Sequence, residues 1–468
     1  MRDQPALGSV VSLDAVVSKV SGEATANEQD MISRVLREYY RCSDFSGQEN
    51  VALSQCDHSP RAGASTCQWS KYDEFLRPYV ELSSPSRAHD TLMAPFDAGR
   101  VIDDLRLERY WSAPLRGYEK FLKDVYYLLR PLTNQFLRRR VQKFRTRNWR
   151  QQAFPHWPVD TTVEEICEGL LLLAMESHGV DRVPFIWFWP DGARGCVTMT
   201  HDVEMEEGRD FCDELMDLDD SFGIKASFQI VPESRYSVPA TFLDRVRQRG
   251  FEIGIQDLNQ DGKLFDNRAE FFRRAQKINR YGREYGARGF RAGVLYRNPD
   301  WYNALDFSFD MSMPNVAHLD PQRGGCCTVT PYFIGDLLEI PVTTIQDYTL
   351  FRLLGDYSID LWTKQTETIL KKNGLVSFIV HPDYVKERRP NSVYRELLGY
   401  LRHVRENEDV WFAVPPAIDH WWRARAKMAI VPAGDYFRIE GEGAERAMLA
   451  FARPVNGGLK YEIQQLTH

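Results

Sequence analysis

Three ionisable side chains, His201, Asp202 and Glu204, close the run Val197-Thr-Met-Thr-His-Asp-Val-Glu204, and their density makes this the first place to look for chemistry. A buried strand that breaks off into acids usually delivers them to the rim of a parallel sheet or barrel, where reactions are carried out. The pattern recurs. Leu375-Val-Ser-Phe-Ile-Val380 runs into His381-Pro382-Asp383, and Phe251-Glu-Ile-Gly-Ile255 runs into Gln256-Asp257. Beyond a strand end, acids two apart can face one centre, one serving as a base and the other holding a metal ion. Helix capping is the ordinary alternative. It suits Glu206 and Glu207, just ahead of Gly208-Arg209-Asp210-Phe211, better than Asp202, which lies at the strand end. His201 and His318 are further candidate ligands, although a single histidine near a strand end is usually hydrogen-bonded structure.

The elements that must position these groups follow from 159 onward. Strands are expected at 196–200, 226–231, 252–256, 289–293, 308–313, 338–343, 376–381 and 410–414, separated by helical segments. Four of those helical segments end at Gly223, Gly250, Gly286 and Gly374, as expected of a residue that adopts the left-handed conformation without steric penalty. Thr161-Thr-Val-Glu-Glu165 reads as a helix start, with a hydroxyl cap and acids in the first turn. Strands alternating with helices imply βα units and a parallel sheet, and the number of units favours a barrel over an open sheet. The spacing is too irregular for an eight-fold one, so the expected fold is α/β, a distorted (β/α) barrel of seven or eight parallel strands over 159–425. It carries a poorly specified segment 1–90, a basic helical segment 91–158 and a small antiparallel β appendage 426–468. In that appendage Gly441-Glu-Gly443 and Asn456-Gly457-Gly458 mark turns.

The strand ends resemble the polysaccharide deacetylase family in five pieces in the family's order, over roughly 190–420. Thr200-His-Asp202-Val-Glu204 looks like the first motif, and Glu252-Ile-Gly-Ile-Gln256-Asp-Leu-Asn-Gln260 is similar to the second. Gly289-Phe-Arg291-Ala-Gly looks like the third, Glu339 to Asp347 corresponds to the fourth, and Leu375 to His381-Pro382 resembles the fifth. The resemblance implies a distorted barrel and metal-assisted hydrolysis of an N-acetyl group on a sugar. It implies Asp202 as general base, His381 as general acid, Arg291 as the charge partner of Asp202, and Asp347 as the counter-ion of Arg291. An acid such as Asp383 beside His381 keeps the ring protonated. The implied metal ligands are Glu204 and the two positions four apart in the second motif. The family has histidines there; this chain has Gln256 and Gln260. A carboxamide oxygen cannot replace imidazole for zinc, but it can join an oxygen-rich site for a harder divalent cation together with Glu204 and Asp257 or Asp261, so zinc, manganese and magnesium are not distinguished. Tyr296, Trp301, Tyr348 and Tyr384, near the expected rim, are the aromatics that could stack on sugar rings.

Three functions compete on these residues. The first is a deacetylase-like hydrolase acting on an N-acylated sugar or polysaccharide. The second is a barrel that has lost catalysis and binds a glycan or protein partner, which the two glutamines suggest. The third is a metal-free glycoside hydrolase pairing Asp202 or Glu204 with an acid such as Asp257.

Composition sets the outer bounds. The 468 residues include 59 Lys+Arg and 66 Asp+Glu, a net charge of −7 that gives the whole molecule no electrostatic reason to seek nucleic acid. Arg138, Arg139, Arg140, Lys143, Arg145, Arg147 and Arg150, interleaved with Val141, Phe144 and Trp149, could form a basic amphipathic surface for anionic lipid, or a solvated helix face. The eight cysteines show no CxxC zinc spacing, and the vicinal Cys326-Cys327 is expected to be buried and reduced. Met1 to Gly22 lacks a basic start followed by an apolar core, and no apolar stretch approaches the ~20 residues of a membrane span. A soluble, cytoplasmic protein is the expectation.

Overall fold

The structure, a computed structural model, describes residues 34–41, 97–111, 149–177, 180–433 and 436–464. The segment 1–90 apart from 34–41, and the basic stretch 138–150 apart from Trp149 and Arg150, lie outside the described residues. Among those described, no helix is long and apolar enough to cross a membrane.

The chain divides into two compact units. One is formed by Leu105–Thr161 with Ala193–His420, the other by Thr162–Gly192 and Trp421–His468 with the described part of Met1–Asp104. The expected barrel span of 159–425 is therefore corrected. Its first helix, Thr162–Ser177, and the strand Val183–Ile186 belong to the second unit.

The larger unit is built on a nine-stranded sheet. Its strands are β1 (Cys196–Val203), β2 (Ala226–Ile230), β3 (Glu252–Gln256), β4 (Gly289–Arg291), β5 (Phe309–Asp310), β6 (Tyr332–Ile334), β7 (Leu337–Glu339), β8 (Leu375–Val380) and β9 (Trp411–Phe412). β1 lies at the centre. Cys196–His201 pair parallel with Leu375–Val380 on one edge, while on the other Met199–Val203 pair with Ala226–Ile230 and Cys196–Val197 with Trp411–Phe412. The parallel series continues through β3, β4, β5 and β7. Only β6 runs against it, as a hairpin with β7 turning at Gly335. This hairpin was not expected, because the sequence reading placed one strand at 338–343. Beyond β7 the chain at Thr343 and Thr344 reaches β8 through the Thr344 N–H to Ser377 O (3.3 Å) and the Ser377 N–H to Thr343 Oγ1 (2.8 Å). The parallel sheet thus curls toward its other edge through irregular chain rather than a regular strand, which accounts for the uneven spacing of the motifs.

Alternation along β1 decides which side chains face where, since successive residues of a strand point to opposite faces. Val197, Met199 and Val203 join the hydrophobic core under the helices Glu206–Ser221 and Arg388–Asn407, whose buried sides include Leu215, Met216, Leu397 and Leu401. The alternate residues Thr198, Thr200 and Asp202 are also buried, on the other face. Gly223, Gly250 and Gly286 end their helices with φ of 68°, 75° and 59°. Gly374 does not. Asn373 takes the left-handed turn there (φ 53°), and Gly374 is needed for space instead, because a Cβ would lie 2.6 Å from Val329 Cγ2.

In the second unit, Val183–Ile186 pairs antiparallel with Leu449–Val455, which pairs with Gly458–Ile463 across an Asn456-Gly457 turn with both φ positive. Ala429–Ala433 and Tyr436–Glu440 form a separate antiparallel pair. The antiparallel strands after 426 thus include, as a ladder partner, the much earlier strand Val183–Ile186. Tyr39, Tyr40, Phe185, Phe188 and Tyr461 meet edge to face, and Arg425 donates to the carbonyls of Trp187 (2.9 Å) and Ile186 (2.7 Å).

Candidate active site

Asp202 is next to last in β1, and its carboxylate is held from two sides. Arg291, from the end of β4, donates Nη1 to Asp202 Oδ1 at 2.5 Å and to Thr200 Oγ1 at 2.8 Å, while its Nε donates to Met311 O at 3.0 Å. Gln256, at the end of β3, donates Nε2 to Asp202 Oδ2 at 3.1 Å. The Arg291 side chain is fully buried and that of Asp202 is 4% exposed, so this is an ion pair inside the protein, fixed by further hydrogen bonds. Thr200 was not singled out from sequence. Its place two residues before Asp202, on the same strand face, was the available signal.

Glu204 follows β1 and is 27% exposed, against 4% for Asp202 and 0% for Asp347. Gln260 Nε2 donates to Glu204 Oε1, and Gln256 Nε2 lies 3.5 Å from the same oxygen. The Glu204 N–H donates to Asp383 Oδ2 at 3.1 Å. Asp383 stands against Gly208, where a Cβ would come within 2.6 Å of its carboxyl, and burial followed by the Glu204 charge pushes it up to about 6.

His381 follows β8. Its Nδ1 bonds Asp347 Oδ1 at 2.6 Å, its backbone N–H donates to Asp347 Oδ2 at 2.8 Å, and its Nε2 points toward Glu204 Oε1 at 3.8 Å. Burial disfavours charge on the ring. The Asp347 carboxylate, with Glu204 and Asp202 behind it, outweighs burial and holds the imidazolium up to about 10. Asp347 was expected as the counter-ion of Arg291. It pairs instead with His381, because it comes from the irregular chain that runs beside β8 rather than from the β4 edge. The carboxylate bonded to the ring is accordingly Asp347 and not Asp383.

The remaining candidates separate. The Tyr384 ring lies 5.0 Å from that of His381 and 5.7 Å from that of Tyr348, beside the site as expected. Trp301 does not face it. Its ring stacks on Phe265 (6.2 Å) and packs on Phe271 (5.6 Å), so it belongs to the core between helix and loop. Tyr296 is half-buried in the loop after β4. His201 is structural, bridging Val380 O (3.1 Å) and Asp219 Oδ2 (2.9 Å). His318 is buried and stacks on Trp157, lining a groove of about 730 Å³ with Trp149 and Lys364. Glu206 and Glu207 were expected to cap the helix Glu206–Ser221; its N-cap is Met205, with no side-chain capping bond, and the two acids lie in the first turn, where they favour the helix dipole. Cys326 and Cys327 are buried free thiols.

The implied divalent cation can be tested against these donors. Among the described residues, no group of three His, Cys, Asp or Glu side chains could hold a metal ion. Gln256 and Gln260 turn N–H groups, not oxygens, toward the carboxylates. An amide nitrogen has no lone pair for a cation, and the opposite orientation would set acceptor against acceptor. Asp261 is clamped by Arg274 through two bonds of 2.8 and 2.9 Å. Asp257 is buried with Oδ1 on the Leu258 N–H, and burial raises it to about 6 against the pull of that bond. Neither acid bonds Glu204 or Asp202. The set Glu204, Gln256 and Gln260 does not fit a metal.

No family model matches the chain, and no curated protein sequence matches it. Several solved structures show a distant likeness. A protein described as a polysaccharide deacetylase from Mycobacterium smegmatis is 18% identical, with a TM-score of 0.42 over 54% of this chain and 98% of its own. The allantoinase Puue is 13% identical, with a TM-score of 0.40 over 50% of this chain and 92% of its own. A family 4 acetyl xylan esterase from Clostridium thermocellum, in complex with a cobalt ion, is 14% identical, with a TM-score of 0.31 over 48% of this chain and 91% of its own. Scores this low decide nothing about activity, and the fold described above rests on its own strand pairing.

Proposed function

We propose that the larger unit is a deacetylase-like hydrolase centre that removes an N-acyl group, such as acetyl, from a sugar or polysaccharide. The observation that carries this reading is the convergence of two oriented dyads, Asp202–Arg291 and His381–Asp347, on the part-exposed Glu204. Catalysis of amide hydrolysis by a base and an acid requires one unprotonated and one protonated group at the same pH, each fixed by a partner. Asp202 takes a proton from water as the water oxygen adds to the acyl carbon. The C–N bond then breaks as His381 Nε2 gives its proton to the amine nitrogen, leaving a carboxylic acid and a free amine. Nε2 is the nitrogen free to do so because Asp347 holds Nδ1. Tyr384 beside His381 is the aromatic placed to meet a sugar ring.

The test is acetate release from N-acetylated oligosaccharides. Wild type should release acetate, and Asp202→Asn and His381→Gln should each lower the rate by about 10²–10⁴-fold, the usual worth of a general base or acid. Release that survives Asp202→Asn overturns the assignment.

A second reading is a barrel that binds such glycans without turnover. It is favoured by one observation: Gln256 and Gln260 already occupy oxygens of Asp202 and Glu204 that a base would have to offer to water. Glycan binding with no acetate release selects it.

A further inference from the structure

Glu204 Oε1 is the point on which Gln260 Nε2, Gln256 Nε2 (3.5 Å) and, farther off, His381 Nε2 (3.8 Å) converge. Gln256 Nε2 is shared with Asp202 Oδ2 at 3.1 Å. One amide group therefore bridges the two carboxylates, and a second donates to the same Glu204 oxygen. Carboxylates gathered at one place repel unless a cation or hydrogen-bond donors stand between them. Both glutamines are nearly fully buried, at 1% and 3% exposure, where a hydrogen bond to a charged acceptor is stronger than in water. Their Oε1 atoms have no partner. Leaving a buried carbonyl oxygen unpaired costs free energy, so the amides face as they do because the carboxylates claim their hydrogens.

We infer that Gln256 and Gln260 are positioning residues that take the place of a cation, their amide hydrogens holding Asp202 and Glu204 together so that this centre is complete without a divalent metal. The inference deepens the hydrolase reading and rests on it only for the roles of Asp202 and His381. Whatever the centre does to a sugar, it does with protein donors alone.

The experiment uses full-length protein stripped with EDTA. Titration with MnCl2, CoCl2 and ZnCl2, followed by calorimetry and by thermal melting, should show no stoichiometric binding and no rise in Tm, which any ion bound by the native state would raise. One equivalent of any of these ions bound by wild type and lost in Glu204→Gln overturns the inference. Gln260→Glu is the companion variant, equal in size but with a carboxylate in place of the donor. It should melt lower than wild type in EDTA, and manganese or cobalt should raise its Tm back, because the missing positive partner is then supplied from solution. Melting unchanged from wild type in EDTA overturns the inference, and so does a loss that no cation restores, which would mark Gln260 as packing alone. Acetate release is not read in either measurement. A metal-free site on an inactive barrel would sink the hydrolase reading and leave this one standing.

Discussion

His381 is held charged far beyond the ordinary range of an imidazole. Its folded pKa, about 10, lies above the ordinary 6.5 because Asp347 and the nearby acids outweigh burial. A raised pKa contributes stability that is fully present below pH 6.5 and is lost as pH rises through 10. The midpoint of urea unfolding should therefore fall between pH 6.5 and 10. Asp347→Asn should flatten that decline and return the ring, followed by NMR of its Cε1 proton, toward an ordinary titration. A wild-type ring that titrates near 6.5 would contradict the Asp347 pairing. The same charge makes His381 a proton donor throughout the neutral range. From sequence, Asp202 and His381 were legible because each closes an apolar run, and Arg291 through the motif resemblance at Gly289-Phe-Arg291. The partner of Asp347 was not, since a carboxylate 34 residues from His381 can be assigned only after the chain between them is folded.

At the scale of elements, the site depends on close backbone approach. The loop after β4 passes Gln260 and Asp257 at Gly293, where a Cβ would overlap Gln260 Oε1 and lie 2.5 Å from Asp257 Oδ2. Gly293→Ala should destabilise the protein by about 1–3 kcal/mol, the usual cost of overpacking, read as a lower urea midpoint at unchanged slope. An unchanged midpoint would mean that the glutamine can move aside. The alternation in β1 and β3 was legible, and with it the common facing of Thr200 with Asp202 and of Gly254 with Gln256. The β6–β7 hairpin and the shortness of β5 were not. Apolar runs at 308–313 and 338–343 look alike whether they form ladders or packed loops, and only the pairing with neighbours distinguishes them.

At the scale of the molecule, the two units are each assembled from distant stretches. The strand Val183–Ile186 is buried throughout and finds its ladder partner in Leu449–Val455, more than 260 residues later. A chain ended after Met448 should leave that strand edge unpaired and lose soluble protein, checked by expression yield and size exclusion. A soluble, monomeric truncated chain would show that the pairing is dispensable. The sequence reading put these residues at the start of the barrel because an apolar run before the first motif continues its rhythm. Local pattern does not report a partner so far along the chain.

By itself the sequence determined the parallel α/β architecture and the identity of the polar groups at the strand ends, because strand alternation and helix-ending glycines are written in neighbouring residues. It also determined that two carboxamides, Gln256 and Gln260, stand four apart at the end of β3. The tertiary structure alone decided that those amides point their hydrogens at Asp202 and Glu204, that Asp347 serves His381 rather than Arg291, and that Trp301 packs inward. Each is a question of which buried donor meets which acceptor, or which ring meets which, and that is settled by the folded geometry of segments far apart in the chain.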